Sequence, residues 1–146
     1  SLRDQIEFLL NIPRLGFRNA KDFIKYSLVG FSGVGVNLGI YALLTRYYDL
    51  SEVIAPIFSI EAALISNFLL NNFWTFGKRL NQSKIRVKFL KFHLVSGFAA
   101  IINYLIFLTL FFTFGIYDIL ANLIGIAIAA TVNYIINSNW TWKENK

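Results

Sequence analysis

Four long apolar stretches constrain the fold of this chain more than any other feature. They run from Tyr26 to Tyr47, Ile54 to Phe76, Phe92 to Phe114 and Ile119 to Trp142. Each is long enough to cross a hydrocarbon core, which takes roughly 20 apolar residues per helix. The mean hydropathy of +0.55 is also high for a protein whose surface meets water. The sequence therefore predicts an all-α membrane protein with four transmembrane helices.

The basic residues are concentrated in three places. Of the 14 Lys and Arg, five precede or open the first stretch, six lie between the second and the third, and two end the chain; Arg46 alone lies elsewhere. By the positive-inside rule, both termini and the middle connection are cytoplasmic, and the turns around Asp49 and Asp118 face outward. Basic patches also occur in proteins that bind nucleic acid, but apolar stretches this clear favour the membrane as the partner.

The chain also repeats itself. A gapless shift of 66 residues places residues 23–76 over residues 89–142, and 14 of the 54 pairs are identical. The identical polar and aromatic pairs include Lys25/Lys91, Asn37/Asn103, Asn67/Asn133, Asn71/Asn137 and Trp74/Trp140. Two apolar helices share Leu and Ile by chance far more easily than Asn, Trp and Lys. We predict a duplicated helical hairpin, with parallel repeats related by an axis along the membrane normal.

The second helix of each repeat has a small or polar residue at every fourth position. These residues are Ala55, Ser59, Ala63, Asn67 and Asn71, echoed by Ala121, Gly125, Ala129, Asn133 and Asn137. Small residues at this spacing let helices approach closely in lipid, so we expect the two second helices to pack on each other. The asparagines either hydrogen-bond between helices, since an unpaired amide in hydrocarbon is costly, or line a cleft that contacts a lipid headgroup. The tryptophans mark the membrane interface.

Four further features lie in the apolar stretches. Glu61 lies inside the second stretch and has no counterpart in the repeat, and an intramembrane carboxyl indicates either a packing role or a proton-coupled or ligand-binding role. His93 is the single histidine, at the mouth of the third stretch, which fits an interfacial position. Gly35 and Gly39 form a GxxxG pattern that predicts close helix packing, including dimerisation. Asn37 and Asn103 add one intramembrane amide to each repeat.

Two segments have the composition of surface-lying membrane helices. Residues 1–11 place apolar residues at helical spacing against charged ones, and Pro13 ends that pattern. The middle connection GKRLNQSKIRVK mixes apolar with basic residues in the same way. Both fit amphipathic interfacial segments attracted to anionic headgroups. We therefore divide the chain into an interfacial linker helix, 1–22, and a four-helix transmembrane domain, 23–146.

The sequence contains no recognisable catalytic centre. The eight acidic residues are scattered, no hydrolase or phosphate-binding glycine motif occurs, and the absence of cysteine excludes thiol nucleophiles and Cys-metal sites. We expect no catalytic residue, metal or cofactor in this segment.

Several motifs together resemble the GtrA-like family. They are FIKYSLVGFSGVGVN, NFLLNNFWTF, FLKFHLVSGF and NYIINSNWTW, and the likeness extends over about residues 21–142. The opening SLRDQIEFLLNIPRL, with IEAALISNF and KFHL, is similar to the form fused behind the catalytic domain of archaeal-type dolichol-phosphate (polyprenol-phosphate) mannose synthases. Since position 1 is not Met, we expect a C-terminal part of a longer chain.

The resemblance implies a parent enzyme that transfers a sugar, mannose in that type, from a nucleotide donor to polyprenyl or dolichyl phosphate. The divalent metal for this reaction would belong to a fused or associated glycosyltransferase domain. This segment would anchor the enzyme in the cell membrane, help it form a homodimer and hold the lipid phosphate at the cytoplasmic interface. The candidates for that contact are Lys25, Lys91, Arg79, Asn67, Asn71, Asn133 and Asn137. A stand-alone flippase of polyprenyl-phosphate sugars and a small proton-coupled exporter using Glu61 are the alternatives.

Overall fold

A computed structural model describes the backbone of residues 2–145 and the side chains of residues 2–7 and 19–145. The described residues form helices, turns and loops, with no β-strand among them. The α-helices are α1 (Leu2–Ala42), α2 (Ala55–Leu70), α3 (Ile85–Leu108) and α4 (Asp118–Ile136). A five-residue π-helical turn continues each one: π1 (Leu43–Tyr47), π2 (Asn71–Thr75), π3 (Thr109–Thr113) and π4 (Asn137–Thr141). The expected all-α class is therefore confirmed.

The chain forms two compact units, each of which is a hairpin of two helices. In the first unit, Ser1–Thr75, α1 packs against α2, and in the second, Phe76–Lys146, α3 packs against α4. The first hairpin buries Tyr26, Val29, Ala63 and Phe68, and the second buries Phe92, Val95, Ala129 and Tyr134, each 66 residues later. The π-helical turns of the second hairpin also follow those of the first by 66 residues.

The turn inside each hairpin is built in the same way. The backbone reverses at Asp49 (φ 53°) in the first hairpin and at Gly115 (φ 63°) in the second, both in the left-handed region. Glycine adopts this region without a steric penalty, and aspartate tolerates it better than most residues. The amide of the next residue then donates back across the π-helical turn, from Leu50 to Leu44 at 2.9 Å and from Ile116 to Leu110 at 3.0 Å.

Three helical segments are long and apolar enough to cross a membrane. They are Asn19–Tyr47, Ile85–Thr113 and Asp118–Thr141. The expected second span is the exception: α2 is the shortest helix, with 16 residues before the five of π2. It also carries Glu61 and Asn67, which lower its apolar character. Length and composition thus support three spans directly, and a fourth remains a prediction.

The amphipathic segments differ from expectation in extent. The sequence pattern predicts an end at Pro13, whereas α1 continues through it to Ala42. A proline removes one intrahelical hydrogen bond, a loss that a helix of 41 residues can absorb. The middle connection is not helical over residues 77–84, and α3 begins only at Ile85. The division of the chain at residue 22 has no counterpart in a break of the helix.

Candidate functional site

In each hairpin, an asparagine on one helix packs against a glycine on the other. One member of each contact, Asn67 or Gly125, belongs to the small-residue seam, the row of small or polar residues at every fourth position of the second helix. In the first hairpin, a Cβ added to Gly33 would lie 2.7 Å from Nδ2 of Asn67. In the second, a Cβ added to Gly125 would contact the side chain of Asn103 and lie 3.0 Å from its backbone oxygen. Gly125 thus faces α3 of its own hairpin. Glycine is required here because two helices approach each other closely.

The amides of Asn67 and Asn103 are held inside these contacts. Among the described residues, the buried Oδ1 atoms of both side chains have no hydrogen-bond partner. Asn37, which precedes Asn103 by 66 residues, is half-buried on α1. Asn67 and Asn103 therefore fill the space that glycine leaves between two helices. The amide oxygen of Asn67 does not accept the inter-helix hydrogen bond that is one of the two roles expected for it.

The next asparagines form hydrogen bonds within the π-helical turns. The hydroxyl of Thr75 donates to Oδ1 of Asn71 at 2.8 Å, and that of Thr141 donates to Oδ1 of Asn137 at 2.6 Å. Both asparagines are buried. Nδ2 of Asn137 also donates to Oδ1 of Asn133 at 2.6 Å. These hydrogen bonds satisfy polar groups inside the hairpin ends.

Each hairpin brings a lysine and a tryptophan together at one end. The Lys25 ammonium lies 5.2 Å from the ring centre of Trp74, and the Lys91 ammonium lies 5.0 Å from that of Trp140. An ammonium within about 6 Å of an indole ring is attracted by the ring quadrupole. The lysines are half-buried, and the tryptophans are 47% and 44% exposed, so both pairs are accessible. We call this end of each hairpin its basic end.

Arg79 contacts backbone oxygens and an aromatic ring within its own hairpin. Its Nη1 donates to the backbone oxygens of Ser138, at 2.7 Å, and Trp142, at 3.1 Å, and its guanidinium lies 4.6 Å from the ring centre of Phe76. Carbonyls at a helix C-terminus lack intrahelical partners and carry partial negative charge. Arg79 therefore caps π4. Asn81 assists by donating to the backbone oxygen of Lys143 at 2.8 Å.

Trp142 is buried, contrary to the expectation that every tryptophan marks the membrane interface. It is 1% exposed and stacks on Phe76 at 4.8 Å between ring centres, with Phe92 at 5.8 Å. One residue separates Trp142 from the exposed Trp140, so the two rings point to different sides of the chain. A large aromatic core therefore closes the basic end of the second hairpin.

The sequence also singles out Glu61 and His93. Glu61 is half-buried on α2. Nδ1 of His93 lies 2.9 Å from the backbone oxygen of Phe89, and the two rings are 4.2 Å apart. Within the described part of the chain, no group of three or more His, Cys, Asp or Glu could hold a metal ion.

Comparison with known proteins identifies the family. The sequence profile of the GtrA/DPMS transmembrane domain matches residues 25–142. The chain belongs to this family. A dolichol-phosphate mannosyltransferase of Pyrococcus furiosus is 36% identical over 119 residues, which are 82% of this chain. The chain spans about a third of the length of that relative, 33%.

Membership in the GtrA/DPMS transmembrane family, together with the three apolar helices, makes this an integral membrane protein. The matched region of the family begins at Lys25 and ends at Trp142. Both lysine–tryptophan pairs and the Arg79 cap therefore lie inside the family domain. The sequence repeat identifies the four members of the pairs, but their proximity depends on the register between the two helices of each hairpin.

Proposed function

We propose that this chain is the membrane domain of a polyprenyl-phosphate glycosyltransferase, with mannose as the sugar. It anchors the enzyme, supports a homodimer and positions the lipid acceptor. The observation that carries the proposal is the 36% identity to a dolichol-phosphate mannosyltransferase over 82% of the chain. The transfer chemistry, with its divalent metal, belongs to a catalytic domain that is fused to this one or associated with it.

The proposal includes four membrane spans arranged as two copies of one hairpin. Two structural features support the duplication. The π-helical turns match between the hairpins, and the left-handed residue Asp49 has Gly115 as its counterpart. With π2, the second helix has 21 residues from Ala55 to Thr75, about 30 Å at 1.5 Å per residue. That length matches a hydrocarbon core. The positive-inside rule then assigns both basic ends to the cytoplasm.

The lipid phosphate is proposed to bind at the lysine–tryptophan pairs. Lys25 and Lys91 present accessible ammonium groups beside indole rings, which prefer the headgroup level of a bilayer. Asn71 and Asn137 accept hydrogen bonds from threonine hydroxyls, and Arg79 caps backbone oxygens. We propose that these residues stabilise the hairpin ends that carry the lysine–tryptophan pairs. The lysines are therefore the residues of the candidate set best suited to contact phosphate.

The homodimer is proposed to form through α1. A Cβ added at Gly35 or Gly39 would meet nothing within 4 Å, so this GxxxG face is open to a second copy. Such faces let helix backbones approach closely in lipid.

A chimera tests the proposal. The third of the Pyrococcus furiosus relative that matches this chain is replaced by this chain, or in a control by an unrelated four-helix membrane anchor. We expect both chimeras in the membrane fraction, but only the first to transfer mannose to dolichyl phosphate at a rate near that of the parent enzyme. Equal transfer by both chimeras would refute lipid positioning. Translocation of a sugar lipid in vesicles containing only this chain would favour the flippase instead.

A further inference from the structure

We infer that the two lysine–tryptophan pairs have diverged in the anion they accept. The pair in the second hairpin takes a dianionic phosphate monoester, the headgroup of a polyprenyl phosphate, and the pair in the first takes a monoanionic phosphodiester, the headgroup of a bulk phospholipid. Lys88 and Asp22 determine the difference. The inference rests on the proposed role of the pairs in holding lipid phosphate.

The two pairs themselves are nearly identical. Their ammonium-to-ring distances are 5.2 Å for Lys25 over Trp74 and 5.0 Å for Lys91 over Trp140. In each, the lysine lies on the first helix of the hairpin and the tryptophan in the π-helical turn that ends the second. An ammonium is a compact point charge with three donors, and the ring occupies only one side of it. The pairs alone therefore give no reason for a difference in ligand.

The residue three positions before each lysine differs in charge, while Lys21, four positions before Lys25, corresponds to the uncharged Val87. Asp22 precedes Lys25 by three residues, and Lys88 precedes Lys91 by three. Residues at this spacing are neighbours on the surface of a helix. Asp22 is buried and Lys88 is half-buried, and they are themselves 66 residues apart. The duplicated position thus carries an acidic side chain in one hairpin and a basic side chain in the other.

The helix backbone adds to this difference. α3 begins at Ile85, and the preceding residue, Lys84, makes no side-chain cap hydrogen bond. The amides of the first turn of α3 therefore give the second basic end a partial positive charge close to Lys88. In the first hairpin, α1 is continuous through Asp22 and Lys25 and has no helix end at that point.

These charges select between two kinds of lipid phosphate. A phosphate monoester carries about −1.5 to −2 charges at neutral pH. A phosphodiester carries one. Each added positive charge near the site therefore favours the monoester more than the diester, whereas a neighbouring carboxylate disfavours it more. Lys88 with Lys91 suits the acceptor lipid, and Asp22 with Lys25 suits a structural phospholipid.

Lipid titrations of the full chain in neutral detergent micelles, followed by native mass spectrometry, test the inference. The probes are farnesyl phosphate as monoester, a short-chain phosphatidylglycerol as diester, and inorganic phosphate as headgroup without a lipid. We expect Lys91→Gln to weaken farnesyl phosphate binding about fivefold, the worth of one basic residue near an anionic lipid surface. Lys25→Gln should weaken phosphatidylglycerol binding and change farnesyl phosphate binding less than twofold. Lys78→Gln, at an exposed position before the capping arginine, is the control.

Charge changes beside the pairs give the decisive comparison. Lys88→Gln should reduce the preference for monoester over diester while Lys91 and Trp140 are intact, and Asp22→Asn should raise monoester binding at the first pair. Circular dichroism and gel filtration establish that each variant is folded; if Asp22→Asn fails to fold, Lys88→Gln alone decides.

An unchanged preference in Lys88→Gln, or equal losses of farnesyl phosphate binding in Lys25→Gln and Lys91→Gln, would overturn the inference but leave the proposed function in place. If neither lysine variant differs from Lys78→Gln, the lipid-phosphate role itself is wrong. Inorganic phosphate that binds as tightly as farnesyl phosphate would assign the pairs to free anions.

Discussion

Gly125→Ala tests the close approach of α3 and α4. The added Cβ would contact the Asn103 side chain and lie 3.0 Å from the Asn103 backbone oxygen. The side chain can rotate, but the backbone oxygen belongs to α3 and moves only if the helix shifts by a few tenths of an ångström. Gly33→Ala should cost less, because the three nearest atoms there all belong to the side chain of Asn67, which can rotate.

The magnitude follows from a comparison with Gly97, a glycine of α3. Gly97 is exposed, and a Cβ there would meet nothing within 4 Å. Both substitutions gain about 1 kcal/mol in helix propensity. The difference between them therefore isolates the steric cost of overpacking, about 1–3 kcal/mol. We expect Gly125→Ala to be less stable than Gly97→Ala by that amount.

The free energy of unfolding can be measured by titrating the protein in neutral micelles with a denaturing detergent. Helix content from circular dichroism follows the transition, and the wild-type chain gives the reference value. If Gly125→Ala proves as stable as Gly97→Ala, α3 and α4 do not approach as closely as the seam requires.

Three further substitutions test the basic end of the second hairpin by the same titration. Asn137→Leu should destabilise by roughly 1–3 kcal/mol, because it leaves buried polar neighbours without a partner, whereas the exposed Asn139→Leu should change little. Arg79→Gln should lose about 1.5–3 kcal/mol of charge-assisted hydrogen bonding, and no loss relative to Lys78→Gln would exclude the cap. Trp142→Ala should cost roughly 3–5 kcal/mol, and a value under 1 kcal/mol would show that the ring is not in a packed core.

The hairpins could be predicted because the sequence carries them twice. Ala55, Ala63 and Asn71 and their counterparts 66 residues later are all buried, as the four-residue spacing indicates. Residues that are buried on one face of a helix recur at a regular spacing in the sequence, and here the same spacing occurs in both halves of the chain. The first, third and fourth apolar stretches also agree with helices of spanning length.

Other features depend on geometry that periodicity does not encode. Trp142 follows the last π-helical turn and lies in the core, while Trp140, inside that turn, stays exposed. Arg79 looks like one more basic residue of the middle connection, but the path of the chain brings it to the carbonyls of π4. Proline at position 13 signals an end that the long helix does not have.

Single-cysteine labelling tests the arrangement of spans most directly. The chain has no cysteine, so each introduced thiol is the only one. Cysteines at Tyr48, Ser83, Tyr117 and Lys143, all exposed, are labelled in sealed vesicles with a membrane-impermeant maleimide. Two hairpins that each cross twice predict that Ser83 and Lys143 react from one side and Tyr48 and Tyr117 from the other. Ser83 reacting from the same side as Tyr48 would mean that α2 does not cross the membrane, and the duplicated four-span arrangement would be wrong.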